Sequence, residues 1–174
     1  MPHSIEIATS GRAKCRGCTQ AIAKGDLRLG ERLPNPYAEG EMTLWFHLRC
    51  AAYKRPEVLL EALESCDHDI ADESHLREIA QPGLEHRRLP RVDGADRAPT
   101  SRARCRSCRE MIAKDSWRIR LVYYEEGRFN PSGYIHVACA TNYLETADLV
   151  DRIRHFSPKL SDEEATELGH LLEG

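Results

Sequence analysis

No stretch of this 174-residue chain approaches the roughly 20 consecutive apolar residues needed to cross a bilayer. The opening residues, MPHSIEIATSG, lack both the basic start and the apolar run of a secretory signal, so an intracellular protein is expected, cytoplasmic or nucleoid-associated in a bacterium and nuclear in a eukaryote. An even cysteine count is missing as well. Seven cysteines leave at least one thiol unpaired in any disulfide scheme, and a reducing compartment disfavours such a scheme altogether.

What the cysteines do form is a pattern. CRGC at residues 15–18 is followed, after 28 residues, by HLRC at 47–50; ninety positions along, CRSC at 105–108 is followed, after 27 residues, by HVAC at 136–139. A structural zinc ion takes four tetrahedral nitrogen and sulfur ligands, and each short pair supplies two of them. Cys15, Cys18, His47 and Cys50 make one candidate quartet; Cys105, Cys108, His136 and Cys139 make the other. His and Cys three positions apart share one face of an opening helical turn. Three thiolates and one imidazole fill the coordination sphere, so two zinc ions are expected to staple the fold and not to catalyse. Cys66 stands outside both quartets and reads as a small packing residue.

The repeat extends beyond the ligands. GRAKCRGCTQAIAKGDLRL, residues 11–29, lies over SRARCRSCREMIAKDSWRI, residues 101–119. In each half, DLRLGERL or SWRIRLVYY and then TLWFH or GYIHV read as strands, separated by a loop containing glycine. Helices are expected over PEVLLEALESC (56–66) and ADLVDRIRHF (147–156). A shorter final helix follows in each, capped by Asp72 in the first half and by a Ser161/Glu164 capping box in the second. The expected fold class is α+β: two small zinc-stapled domains, each with a short antiparallel sheet and flanking helices. The expected boundaries are an N-terminal segment 1–9, a first domain 10–81, a linker 82–99 and a second domain 100–174. The linker, PGLEHRRLPRVDGADRAP, is rich in Pro, Gly and Arg and has neither helical nor strand periodicity.

The formal net charge is −3, and two loaded zinc sites would take it to about −5. The sum hides a polarity. Arg12, Lys14, Arg16, Lys24 and Arg28 surround the first knuckle against one Asp26; Arg102, Arg104, Arg106, Arg109, Lys114, Arg118 and Arg120 surround the second against Glu110 and Asp115. The acidic residues concentrate in the helical tails. A basic stripe repeated beside each metal quartet has the distribution that phosphate contacts require, because each neutralised phosphate releases condensed counterions.

SGRAKCRGC, then AIAKGDLRL, then WFHLRC resembles the PARP-type zinc finger found at the start of poly(ADP-ribose) polymerases and in a vertebrate DNA ligase. The resemblance covers residues 10–81 and again 100–173. It implies binding to DNA strand breaks such as nicks, gaps and ends, with Arg12 and Arg28, and their counterparts Arg102 and Arg118, meeting backbone phosphates; Lys14, Arg16, Arg104 and Arg106 join them as DNA-binding candidates from the basic stripe. Base stacking in the family comes from the loop before the second ligand pair. Here the apolar candidates are Tyr37 and Met42 in the first copy and Tyr124 and Phe129 in the second, with core packing as the alternative for the aromatics.

The family's enzymes carry separate catalytic domains, and no segment of this chain is left over to hold one. A non-catalytic protein of DNA damage sensing or repair is therefore expected, with broken DNA and a repair protein as partners and no membrane attachment. Two other classes stay open. One is a zinc-stabilised protein-interaction module using the acidic helices. The other is a zinc-supported nuclease, for which the scattered histidines offer no grouping.

Overall fold

The computed structural model describes residues 3–174. Two three-stranded antiparallel sheets, each followed by helices, make up the α+β fold expected from the sequence. The chain folds as two units. The first runs to Glu85 and includes Tyr124–Phe129; the second comprises His86–Tyr123 and Asn130–Gly174.

In the first unit, β1 (Ser4–Ile7), β2 (Leu27–Pro34) and β3 (Glu41–His47) are ordered β1-β2-β3. The register sets Ile5 opposite Leu29 and Leu29 opposite Phe46, so period-two alternation sends these three side chains to one buried face. Helix α1 (Leu48–Lys54) leaves β3 directly. Helix α2 (Pro56–Glu64) starts on a proline at its first position, where a missing N–H costs nothing, and buries Val58, Leu59, Ala62 and Leu63. Helix α3 (Glu73–Glu85) packs on α1 and α2 through Leu76, Ala80 and Gly83, one stripe at helical spacing. The N-terminal segment expected at 1–9 thus contains an edge strand of the sheet. Met1 and Pro2 of that segment lie outside the described residues.

The second unit repeats this plan with β4 (Val92–Arg97), β5 (Trp117–Glu125) and β6 (Arg128–His136), the adjoining ends of β5 and β6 within Tyr124–Phe129 being counted with the first unit, then α4 (Ala140–Leu144), α5 (Val150–Phe156) and α6 (Asp162–Glu173). Its core joins Ile119, Ile135, Leu144, Leu149, Ile153 and Leu168. Ser161 accepts from the Glu164 amide at 3.1 Å while the Glu164 carboxylate accepts from the Ser161 amide at 3.0 Å, the reciprocal cap expected for α6. Removing that cap with Ser161→Ala should lower stability by about 1 kcal/mol, read as a shift in denaturant midpoint at constant slope.

The segment 82–99 departs from the linker expectation. Pro82–Glu85 closes α3, Leu89–Arg91 forms a single 3-10 turn, and Val92–Arg97 is β4, paired with β5. Val92, Ala95 and Ala98 are buried. Their spacing is not two because a bulge at Gly94 interrupts the ladder, and this is what conceals the strand from a periodicity reading. Gly94 sits at φ 99°, and a Cβ there would meet the Ser157 Oγ at 2.1 Å, so the bulge admits glycine alone. Ser157 in turn accepts from the Ala95 amide at 3.0 Å, tying the end of α5 to β4.

Candidate metal centres and the cations around them

Each Cys-x2-Cys pair lies in a tight knuckle. In the first, the Cys15 amide donates to the Gln20 carbonyl and the Thr19 amide to the Cys15 carbonyl; in the second, Cys105 and Arg109 do the same with Glu110 and Cys105. Both knuckles turn through a left-handed residue, Thr19 at φ 67° and Arg109 at φ 71°. The second pair arrives from the sheet. His47 ends β3 and precedes the first turn of α1, which carries Cys50; His136 ends β6 and precedes the 3-10 turn Val137–Cys139.

The ligand atoms of each quartet lie within 4.8 Å of one another. His47 Nδ1 is 3.4 Å from the Cys18 sulfur and 3.7 Å from that of Cys50; His136 Nδ1 is 3.4 Å from Cys108 and 3.8 Å from Cys139. The far side of each ring fixes its tautomer. His47 Nε2 meets the Ala21 carbonyl at 3.2 Å and His136 Nε2 the Met111 carbonyl at 3.1 Å. A carbonyl only accepts, so each Nε2 carries the proton and each Nδ1 presents its lone pair to the thiols, as a metal requires.

The thiols themselves call for a cation. Hydrogen bonding from Cys15 and Cys50 holds the Cys18 thiol far below its ordinary value, whereas hydrogen bonding to Cys15 and Cys18, together with burial, drives Cys50 far above it. In the second quartet burial, with bonding to Cys105 and Cys108, pushes Cys139 up to about 11. Cys105 falls to about 6: burial opposes its ionisation, but backbone donation from Cys108, His136 and Ser107 outweighs that. One thiolate forms readily in each set, and further negative charge is resisted unless a dication shares the site. Three thiolates and a neutral imidazole make a complete tetrahedral donor set, and each quartet can hold one zinc ion.

The basic residues chosen from sequence divide into two kinds. Arg12, Lys14 and Arg16, like Arg102, Arg104 and Arg106, lie around the knuckles, where solvent reaches them. Arg28 and Arg118 are enclosed: each is 7% exposed. Arg28 lies 3.7 Å over the Trp45 ring and pairs with Glu6 at 3.2 Å. Arg118 lies 3.6 Å over Tyr134 and pairs with Asp96 at 2.9 Å. Sequence reasoning missed the four residues that surround these arginines, although the repeat contained them. Glu6 and Asp96 both stand nine positions before the first cysteine, and Trp45 and Tyr134 two before the histidine.

The four apolar candidates also separate. Tyr37, at the turn between β2 and β3, is 81% exposed, and Met42 is half-buried. Tyr124 and Phe129 belong to the first unit, where the Tyr124 hydroxyl donates to Glu31 and the Phe129 ring packs edge-on against Phe46 at 6.2 Å. Cys66 is half-buried and donates to the His68 carbonyl at 3.6 Å, outside the buried core in which the packing reading placed it. Among the described residues, no helix is long and apolar enough to cross a membrane.

Residues 6–86 match the family described as the poly(ADP-ribose) polymerase and DNA-ligase zinc-finger region. The chain is 29% identical over 139 residues, 72% of its length, to the Poly [ADP-ribose] polymerase of Drosophila melanogaster. It is 27% identical over 136 residues, 68% of its length, to Poly [ADP-ribose] polymerase 1 of Arabidopsis thaliana. Over a shorter stretch of 50 residues, 29% of its length, it is 40% identical to Poly [ADP-ribose] polymerase 1 of Caenorhabditis elegans. These matches span only 14%, 14% and 5% of the respective relatives. Residues 6–86 thus match the PARP-type zinc-finger family, and the second half carries the same Cys3His quartet, three-stranded sheet and trailing helices.

Proposed function

We propose that this chain is a non-catalytic, zinc-dependent DNA-binding protein that recognises strand breaks, acting in damage sensing or repair. The observation that carries the reading is the duplication of guanidinium and ammonium groups beside each metal quartet: Arg12, Lys14 and Arg16 in one unit, Arg102, Arg104 and Arg106 in the other. The knuckle backbone that carries them is fixed by its own hydrogen bonds, and a zinc ion bound to the quartet would fix it further. Phosphates are the ligands that such a stripe serves. An intact duplex hides its base faces, whereas a nick or end bends easily and bares a terminal pair. The exposed Tyr37 ring is the side chain this reading assigns to that pair, with the half-buried Met42 as the second candidate. Tyr124 and Phe129, engaged with Glu31 and Phe46, are assigned to packing.

The test is the affinity of zinc-loaded protein for nicked, gapped and intact duplexes of one sequence across a salt series. The broken duplexes should bind more tightly. The slope of log K against log salt should be about −0.9 for each phosphate neutralised. Equal and negligible binding to all three would instead favour a protein-interaction module.

A further inference from the structure

The two units build the same three-part arrangement from different residues. On the middle strand of the first sheet, Arg28 has its guanidinium 3.7 Å over the Trp45 ring from β3, and its NH2 is 3.2 Å from the Glu6 carboxylate on β1. On the middle strand of the second, Arg118 lies 3.6 Å over Tyr134 from β6 and donates through two nitrogens to the Asp96 carboxylate on β4, at 2.9 and 3.3 Å. The carboxylate changes length and the ring changes type, and the contact is through one nitrogen on Arg28 and two on Arg118, yet in both units the guanidinium lies over a ring with a carboxylate beside it. In the first sheet Arg28 is the residue directly opposite the ligand His47, so the guanidinium is registered to the metal through one rung of the ladder. Arg28 Nε is buried and has no hydrogen-bond partner among the described residues.

We propose that Glu6 and Asp96 are positioning residues for DNA: each clamps its arginine flat against the aromatic ring so that the remaining guanidinium edge meets a phosphate. The inference rests on the DNA-binding reading above. Two effects of a carboxylate beside such an arginine have opposite signs. Its charge weakens the attraction for phosphate; its hydrogen bonds, with the ring, fix a long side chain in one rotamer before the ligand arrives. Each arginine side chain is only 8% exposed, so little of it is open to a ligand and its orientation matters; on this proposal orientation outweighs the lost charge. Asp96 lies in the stretch expected as a linker, which makes that stretch part of the second unit's binding apparatus.

The experiment compares full-length, zinc-loaded wild type with Glu6→Gln, Asp96→Asn and the double variant on nicked duplex across salt. Zinc content and melting temperature are measured on every sample, and affinity is expressed per folded molecule. The double variant should bind about tenfold more weakly. Its salt slope should be shallower by about 0.9 for each arginine that loses its phosphate. The exchanged carboxylates Glu6→Asp and Asp96→Glu, each of which copies the other unit, should restore binding. Equal or tighter binding with a steeper slope would overturn the proposal, since that is what removing two repelling charges alone does. Loss fully accounted for by the folded fraction would overturn it too. Wild-type protein that ignores both nicked and intact DNA would bring down the DNA reading itself, and is thereby distinguished from a failure of the clamp.

Discussion

Cys50→Ala should reduce bound zinc from two ions to one per molecule and unfold the first unit. Cys50 lies in the first turn of α1, 1% exposed, with the His47 ring 3.7 Å from its sulfur. Its loss removes one of four ligands and leaves Cys15, Cys18 and His47 around an incomplete site. Structural zinc contributes an apparent 10–16 kcal/mol or so in small fingers, whereas a whole domain is stable by only about 5–15 kcal/mol. A unit of this size has no reserve to replace that contribution. Metal analysis, far-UV circular dichroism and limited proteolysis of Cys50→Ala, with Cys139→Ala as the mirror experiment for the second unit, read the outcome directly. A variant that kept both ions and a wild-type spectrum would show that the quartet is not what holds the fold.

Replacing Arg55 by alanine is expected to cost about 3–5 kcal/mol, the usual result of leaving one member of a buried ion pair alone. The stranded member is Glu31. Its side chain is 1% exposed on β2, and Arg55 reaches it through Nε at 2.9 Å and through NH2 at 2.5 Å, while the Tyr124 hydroxyl donates to its other oxygen. The Arg55 guanidinium also stacks 4.1 Å over the Tyr124 ring. Burial disfavours the Arg55 charge, but the hydrogen bonds and attraction from Glu31 raise its proton affinity overall, and burial together with Glu31 raises that of Tyr124. The second unit has Leu121 ninety positions on, buried at 3%, where the first has Glu31. Glu31→Leu should therefore cost far less than Arg55→Ala, because it removes the buried charge, while Arg55 at 19% exposure keeps solvent and the Glu57 carboxylate at 2.9 Å. Urea midpoints of the two variants, at unchanged slope, test the ranking.

Glu31 also marks where pattern reading stops. Its run, DLRLGERL, is legible as a strand, and the same logic finds β3, β5 and β6, because alternation and flanking glycines leave a local trace. Nothing local says that a glutamate in that run is fully buried, since the two groups that satisfy it stand 24 and 93 positions away. Val92–Arg97 escapes the pattern for a related reason. A bulge at Gly94 shifts the register, so burial falls on Val92, Gly94, Ala95 and Ala98 with no regular period. The capping box at Ser161 is readable because a cap is written in four consecutive residues.

By itself the sequence determined the two quartets, since tetrahedral chemistry restricts which residue types can cluster and the repeat wrote the same set twice. It also determined the cations at the knuckles, which need only proximity along the chain to stand beside the metal. The tertiary structure alone decided that Arg28 and Arg118 are enclosed between a carboxylate and a ring, and that Tyr37 is exposed while Tyr124 is engaged. Those outcomes depend on strand register and on residues far apart in the chain, and a side chain's freedom is set by what the fold brings against it.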